Sequence, residues 1–369
     1  MTELGRQRRR PVKKYVRGLA IVGVLTLAVA ACGSKPTDDT AGGGANKDFK
    51  ACMVSDSGGF DDKSFNQTSY EGFQAAVKAK GLTEQKVESK SDNDYPTNMT
   101  AMINAKCKVI IAVGFKLEDA TDKAAAANPE VKFAIVDSAP PKPIANVKPL
   151  GFNTAQSSFQ AGYLAAAMSK SGKVGTFGGI KIPPVTIFMD GFAEGVRYYN
   201  KQKSKNVQVL GWDDAKQAGL FTGSFEDKAK GQNTGQNLIT QGADIIFPVA
   251  GPSGLGGLQA AKASAGKVNA IWVDTDGCVS AAEYCSVLIS SVKKGMDVAV
   301  QDAVTSVVDN KFDNKQFIGT LENGGTALAP FHEFDSKVPA ELKTELDQIK
   351  ADIIGGKIVL ESKAQPKAS

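Results

Sequence analysis

One pattern repeats along most of this chain, a short apolar run followed by a longer amphipathic, alanine-rich stretch. "FKACMVS" precedes a helical period over Phe65–Lys80, and "KVIIAVG" (Lys108–Gly114) precedes "LEDATDKAAAANPE". "KFAIVDS" (Lys132–Ser138) comes next, then a helical stretch over Gln156–Ser169, the strand-like "KVGTFGG" and the helical "VTIFMDGFAEGVRYYN". "VQVLGW", "DKAKGQNTGQNLITQ", "ADIIFPVAG", a helix around "GLQAAKASAG" and "VNAIWVDT" continue the alternation. Strands and helices that alternate at this spacing build parallel sheets covered by helices on both faces.

The units are too many for one compact sheet. "KPLGFNTAQ" (Lys148–Gln156) suits a crossover between two lobes, a second is expected near Thr275–Gly277 and a third near "GTLENGGT". After the second crossing, "SVLISSV" and a helix over Lys294–Asn310 are expected to return to the first lobe. The expected architecture is α/β, with two Rossmann-like lobes joined by a multi-strand hinge. The N-terminal lobe is assigned residues 48–152 and 278–320, and the C-terminal lobe 153–277 and 321–369. A hinged binding protein and a two-domain dehydrogenase both fit this outline.

Residues 1–31 read as a targeting segment. Arg6, Arg8, Arg9, Arg10, Lys13, Lys14 and Arg17 form a basic start, and an apolar run from Leu19 to Ala31 comes after it. That run is shorter than the roughly 20 residues a membrane-spanning helix needs. It ends Val29-Ala30-Ala31-Cys32-Gly33, small residues before a cysteine that resemble a bacterial lipobox, with Cys32 as the lipidated residue. Residues 32–47 form a small, polar, flexible tether. The leader holds 7 of the 44 Lys and Arg and 1 of the 39 Asp and Glu, leaving 37 basic and 38 acidic residues. The basic isoelectric point therefore belongs to the leader and gives no support for nucleic-acid binding.

Cys52, Cys107, Cys278 and Cys285 remain, an even number that suits disulfides in an exported chain. Cys278 and Cys285 bracket "VSAAEY" and can close a local loop, while Cys52 and Cys107 each begin an apolar strand and can be neighbours. Neither pair has C-x-x-C spacing and His332 is the single histidine, so a zinc site is not expected. The same scarcity disfavours catalysis through a histidine base.

In open α/β sheets ligands bind beyond the carboxyl ends of strands. The polar and aromatic residues collected there are Asp56 with Phe65 and Asn66, Gly114, Asp137, Gly251, and Asp274 with Asp276. Phe188 joins them from a helix start, and Lys293 and Lys294 from the returning segment. "SDSGGFDDKSF" lacks G-x-G-x-x-G and carries three acids that repel a pyrophosphate, and "AGPSGLGG" (Ala250–Gly257) lacks the Walker lysine. Helix starts there can still donate N–H groups to a neutral ligand. An acid pair for glycoside hydrolysis can be assembled from the aspartates. A carboxylate also accepts two hydrogen bonds from a vicinal diol, and aromatic faces stack on a base.

Six segments, "DSGGFDDKSFNQTSYEGF", "FAIVDS", "VTIFMDGFAEGV", "PVAGPSGLGG", "IWVDTDG" and "SSVKKGMDVAV", resemble in order the signatures of the basic membrane lipoprotein family. These are purine-nucleoside-receptor-like substrate-binding lipoproteins of ABC importers, and the likeness runs from about Phe49 to Phe331. It implies a type I periplasmic-binding-protein fold and a nucleoside ligand. Asp56 and Asp274 would then hold the ribose hydroxyls, helped by Lys294 and the backbone at Gly251. Asn66 and Asp137 would read the base edge, and Phe65 and Phe188 would sandwich the ring. Where relatives often carry glutamine after "DTD", this chain has Gly277.

Each residue also has a plainer role. Asp56 or Asp137 can start a turn, Asn66 can satisfy backbone donors, and Phe65 and Phe188 can be core residues beside Phe73 and Phe192. Asp61, Asp62 and Lys63 read as a solvated helix start, and Asp276 as a residue that orders the hinge. The expectation is a non-enzymatic, monomeric binding protein without cofactor, lipid-anchored to the outer face of the bacterial cytoplasmic membrane, that passes nucleosides to an ABC permease. The alternatives are an exported nucleoside or glycoside hydrolase, or the same fold holding a sugar or signalling molecule.

Overall fold

The computed structural model describes residues 46–367; the leader, Cys32 and nearly all of the tether lie outside the described residues. The first part of the chain runs β1 (Lys50–Ser55), α1 (Phe65–Lys80), β2 (Thr83–Glu88), α2 (Tyr95–Asn104), β3 (Val109–Val113), α3 (Glu118–Ala127), β4 (Lys132–Val136) and β5 (Val147–Phe152). The second continues with α4 (Ala155–Met168), β6 (Lys173–Gly178), α5 (Pro183–Lys203), β7 (Gln208–Leu210), and a small hairpin, β8 (Trp212–Asp213) with β9 (Ala218–Gly219). Then come α6 (Lys228–Thr240), β10 (Ile245–Val249), α7 (Gly251–Ala263), β11 (Asn269–Asp274), α8 (Gly277–Ser280) and β12 (Leu288–Lys294). The chain finishes with α9 (Met296–Val308), β13 (Phe317–Gly319), β14 (Thr326–Leu328) and α10 (Ala340–Ile354).

Two six-stranded sheets result, ordered β13-β5-β4-β3-β1-β2 and β14-β12-β11-β10-β6-β7. Every pairing in the first is parallel, and only β14 runs antiparallel in the second. The two sheets share one winding plan, with the strand order reversing between β1 and β3 in one and between β6 and β10 in the other. Central strands such as Val109–Val113 and Ile245–Val249 are buried along their whole length. That explains why they read as unbroken apolar runs rather than alternating ones.

The chain crosses between sheets after β5, again between β12 and α9, and a third time between β13 and β14. The second crossing corrects the sequence reading, which put it near Thr275–Gly277. β12 lies beside β11 in the second sheet, with Ile271 opposite Ser290 and Asp274 opposite Lys293. Residues 278–294 therefore run with the second sheet, and the return to the first lobe, which continues to β13 beside β5, begins with α9, which packs on α1. At that contact a Cβ on Gly72 would come within 2.0 Å of the Asp297 carbonyl oxygen, so α1 carries glycine there. An apolar run such as "SVLISSV" announces a buried strand but not which sheet edge it joins.

The cysteines pair as Cys52–Cys107, with Cα atoms 5.9 Å apart, and Cys278–Cys285, with Cα atoms 4.6 Å apart. Among the described residues, no helix is long and apolar enough to cross a membrane.

Candidate functional site

β1, β4 and β11 each hand over to an aspartate. Asp56 comes directly after β1 beside the first reversal point, Asp137 directly after β4, and Asp274 ends β11. β4 and β11 hold the same place in their two sheets, and their aspartates share a backbone conformation, φ 68° at Asp137 and 67° at Asp274. A non-glycine residue pays for that left-handed geometry, and aspartate is among those that tolerate it best. Each turn thereby aims a carboxyl off the strand end.

The "DSGGFDDKSFN" turn builds the first-lobe wall. Asp62 is 4% exposed and ties down the start of α1. Its Oδ1 accepts from the backbone N–H of Ser64 and of Gln67, both at 3.0 Å, and its Oδ2 from that of Asn66 at 2.9 Å. The expected solvated turn is thus, at Asp62, a buried cap. With the helix start fixed, the Asn66 amide donates to Asp56 Oδ1 at 3.0 Å and to the Ser57 carbonyl at 3.3 Å. The Asn66 Oδ1 is buried and has no partner among the described residues. Gly114, φ 124°, lets the chain pass beside Asp56, because a Cβ there would stand 2.3 Å from Asp56 Oδ2.

Lys294 supplies the cation. Strand alternation leaves Lys293 exposed and turns Lys294 inward, which settles which lysine of the adjacent pair faces the cleft. Its Nζ lies 2.5 Å from Asp137 Oδ2 and 4.0 Å from Asp274 Oδ1. The ammonium also stands 4.9 Å from the Phe65 ring centroid and 5.5 Å from those of Phe152 and Phe188, within cation–π range. Ser64 Oγ donates to Asp274 Oδ2 at 2.7 Å from the other lobe, so one oxygen of Asp274 is already engaged.

Burial dominates the acid–base balance. It pushes the Asp56 carboxyl up to about 8 against the Asn66 amide bond, with the nearby Asp62 and Asp137 adding to the rise. Asp62 rises to about 7 despite its three backbone donors. Asp137 and Asp274 are also raised by burial, with the Lys294 ammonium pulling both the other way.

Together these groups face a cavity between the two sheets. All eight residues given a ligand-binding role from the sequence line it: Asp56, Phe65, Asn66, Asp137, Phe188, Gly251, Asp274 and Lys294; Gly114, Asp276 and Lys293 do not. Asp62, Phe115 and Phe225 line it too and were not singled out. Phe115 sits just past the β3 strand end and the strand-end rule reaches it, whereas Phe225 sits in a loop without periodicity. Asp276 is turned elsewhere: it caps α8, accepting from the Cys278 N–H at 3.1 Å, and its Oδ2 lies 2.7 Å from His332 Nε2. The chain's single histidine is therefore outside the cavity.

Residues 49–361 match the family model of PnrA-like ABC transporter substrate-binding proteins, Bmp. The ABC transporter nucleoside-binding protein BmpA of Lactococcus lactis is 32% identical over an alignment covering 95% of this chain and 100% of that protein. Basic membrane protein A of Borreliella burgdorferi is 30% identical, with 85% of this chain and 88% of that one covered. Among solved structures, an ABC transporter solute-binding protein from Aeropyrum pernix K1 superposes with a TM-score of 0.77 at 23% identity, covering 85% and 93% of the two chains. That likeness establishes the fold as type I periplasmic-binding-protein-like. The chain belongs to the Bmp family of PnrA-like ABC transporter substrate-binding proteins.

Proposed function

We propose that this protein captures nucleosides, purines foremost, between its two lobes and presents them to the permease subunits of an ABC importer. The observation that carries the reading is the composition of the cavity wall. Carboxyls reach it from both lobes, a buried amide oxygen on Asn66 lacks a partner among the described residues, and aromatic rings at Phe65 and Phe188 stand within cation–π range of the Lys294 ammonium. Asp56 and Asp274 would accept the ribose hydroxyls, Asn66 and Asp137 would pair with the base edge, and the two phenylalanines would stack on it. A base–aromatic stack contributes roughly 1–3 kcal/mol in nucleic-acid contexts. The lysine that faces the cavity, Lys294, is already paired with Asp137, which among the described residues leaves a phosphate without a free cation there and favours nucleosides over nucleotides.

Binding needs no covalent step. Contacts from both lobes coexist only when the cleft is closed, so ligand shifts the population toward closure. The position of His332, paired with Asp276 away from the cavity, denies a hydrolase reading its imidazole base. The basic start, the short apolar run and Ala30-Ala31-Cys32 support export and lipid anchoring at Cys32 on the outer face of the cytoplasmic membrane. The working unit is proposed to be a monomer.

The test is calorimetric titration of the chain from about residue 47, unfolded and refolded to strip carried-over ligand, with inosine, adenosine, guanosine, uridine and ribose. Saturable heat with purine nucleosides but not ribose, with affinity weakened in Asp274→Ala, is the expected result. Heat with ribose alone transfers the site to sugars, and release of free base from inosine returns the hydrolase.

A further inference from the structure

The tip of the β1–α1 turn makes a second connection between the lobes, apart from the cavity. Lys63, in the left-handed region with φ 62°, turns its backbone carbonyl toward the second lobe. That oxygen accepts two hydrogen bonds there, from the Trp272 indole N–H at 3.1 Å and from the Ser280 hydroxyl at 2.9 Å. Trp272 is fully buried on β11, and Ser280 ends the single turn of α8. That turn is fixed at both sides, by the Asp276 cap on the Cys278 N–H and by the Cys278–Cys285 disulfide. Lys63, Trp272 and Ser280 do not line the cavity.

We propose that the Lys63 carbonyl, seated on Trp272 and Ser280, is a cross-cleft latch that sets how long a bound ligand stays without touching it. The inference rests on reading the cavity as the ligand site. Its physical content is that both bonds exist only in the closed arrangement. When the lobes part, the carbonyl, the indole N–H and the hydroxyl exchange their bonds for water, so the latch adds to closure only the modest net value of intramolecular hydrogen bonds. The latch stabilises the closed state equally for every ligand, so it acts on residence time and leaves selectivity to the cavity wall. The disulfide is a positioning element for Ser280, holding the hydroxyl where the carbonyl arrives.

The test compares Ser280→Ala, Ser280→Thr and the unaltered full chain by stopped-flow release of inosine. Ser280→Ala is expected to raise the dissociation rate about fivefold, the size of one lost hydrogen bond. Ser280→Thr should restore slow release. An unchanged dissociation rate in Ser280→Ala overturns the latch, as does a faster release that simply tracks a lowered melting temperature. If the unaltered protein gives no inosine signal, the nucleoside reading fails and the latch is judged by small-angle X-ray scattering without ligand. Ser280→Ala should then scatter as the more extended particle, and equal radii of gyration overturn the latch on their own.

Discussion

The Nζ of Lys294 stands 2.5 Å from Oδ2 of Asp137, an ion pair that joins the last parallel strand of one sheet to a strand end of the other. Both side chains are almost fully buried, 3% and 7% exposed. The pair therefore has little water to soften the loss of either partner, and it crosses the same cleft that the ligand is proposed to bridge.

Removing the cation alone is expected to be costly. Breaking a buried pair from one side costs about 3–5 kcal/mol, and protonation of the orphaned carboxyl limits the loss. Lys294→Met should fall at the lower end of that range, measured by urea unfolding near neutral pH. Adding Asp137→Asn should recover part of the loss, because the uncompensated carboxyl goes with it. If the double substitution costs as much as the two singles summed, the groups are not coupled.

Asp274 is expected to discriminate an intact ribose. Ser64 engages Oδ2, which leaves Oδ1 as the acceptor facing the cavity and the Lys294 ammonium. A hydrogen bond to a charged group contributes about 1.5–3 kcal/mol. On this basis 2′- or 3′-deoxyinosine should bind roughly tenfold or more weakly than inosine, and Asp274→Ala should flatten that difference. Titration of both ligands against both proteins checks it; a preference that survives in Asp274→Ala moves the diol contact to Asp56.

Much of this site is legible in the sequence because the fold places function at strand ends. Asp56, Asp137 and Asp274 stand where each apolar run gives way to a polar residue, and Lys294 is the second of the two lysines that follow the apolar run "SVLISSV". Asp62 is misread because three backbone N–H groups converge on it, an arrangement that adjacent acids in a row do not reveal. Phe225 is missed because a loop residue reaches the cavity through tertiary placement alone. The elements left unassigned, β2, α2, β13, β14 and α10, are half-exposed, short or polar at their edges, so their apolar signal is weak. The assignment of β12 to the first lobe fails for another reason: edge order in a sheet is a long-range property, and Val292 reads the same whichever sheet it completes.

Gly114 should resist even alanine. A Cβ there would stand 2.3 Å from Asp56 Oδ2, and φ 124° is itself a glycine conformation. Backbone strain of this kind costs about 1–3 kcal/mol, and the clash adds to it by driving the Asp56 carboxyl off the Asn66 amide. Gly114→Ala should therefore lower both the unfolding free energy and nucleoside affinity. Combining it with Asp56→Ala removes the clash but keeps the φ penalty, so the stability loss of the pair should be smaller than the sum of the singles. Strict additivity would show that the carboxyl does not crowd this position.

Proton uptake and release offer a readout of the carboxyls themselves. Asp56 goes from an ordinary value of 3.8 to about 8 in the fold, and Asp62 to about 7, burial being the main cause in each case. A carboxyl that holds its proton more tightly folded than unfolded makes the folded state the greater proton binder between those two values. Stability of the ligand-free protein should then fall as pH rises from about 4 toward 8, the reverse of a carboxylate stabilised by a salt bridge. Ligand alters the balance at Asp56, because hydroxyl donors from a ribose favour the charged carboxylate and lower its pKa. Inosine binding near pH 6–7 should accordingly release protons. Calorimetry at one pH in phosphate and in Tris separates this from other heats, since the two buffers absorb a released proton with different enthalpies. A binding enthalpy that depends on the buffer, and loses that dependence in Asp56→Asn, is the expected outcome; the same enthalpy in both buffers would mean that Asp56 keeps its protonation state when the cavity fills.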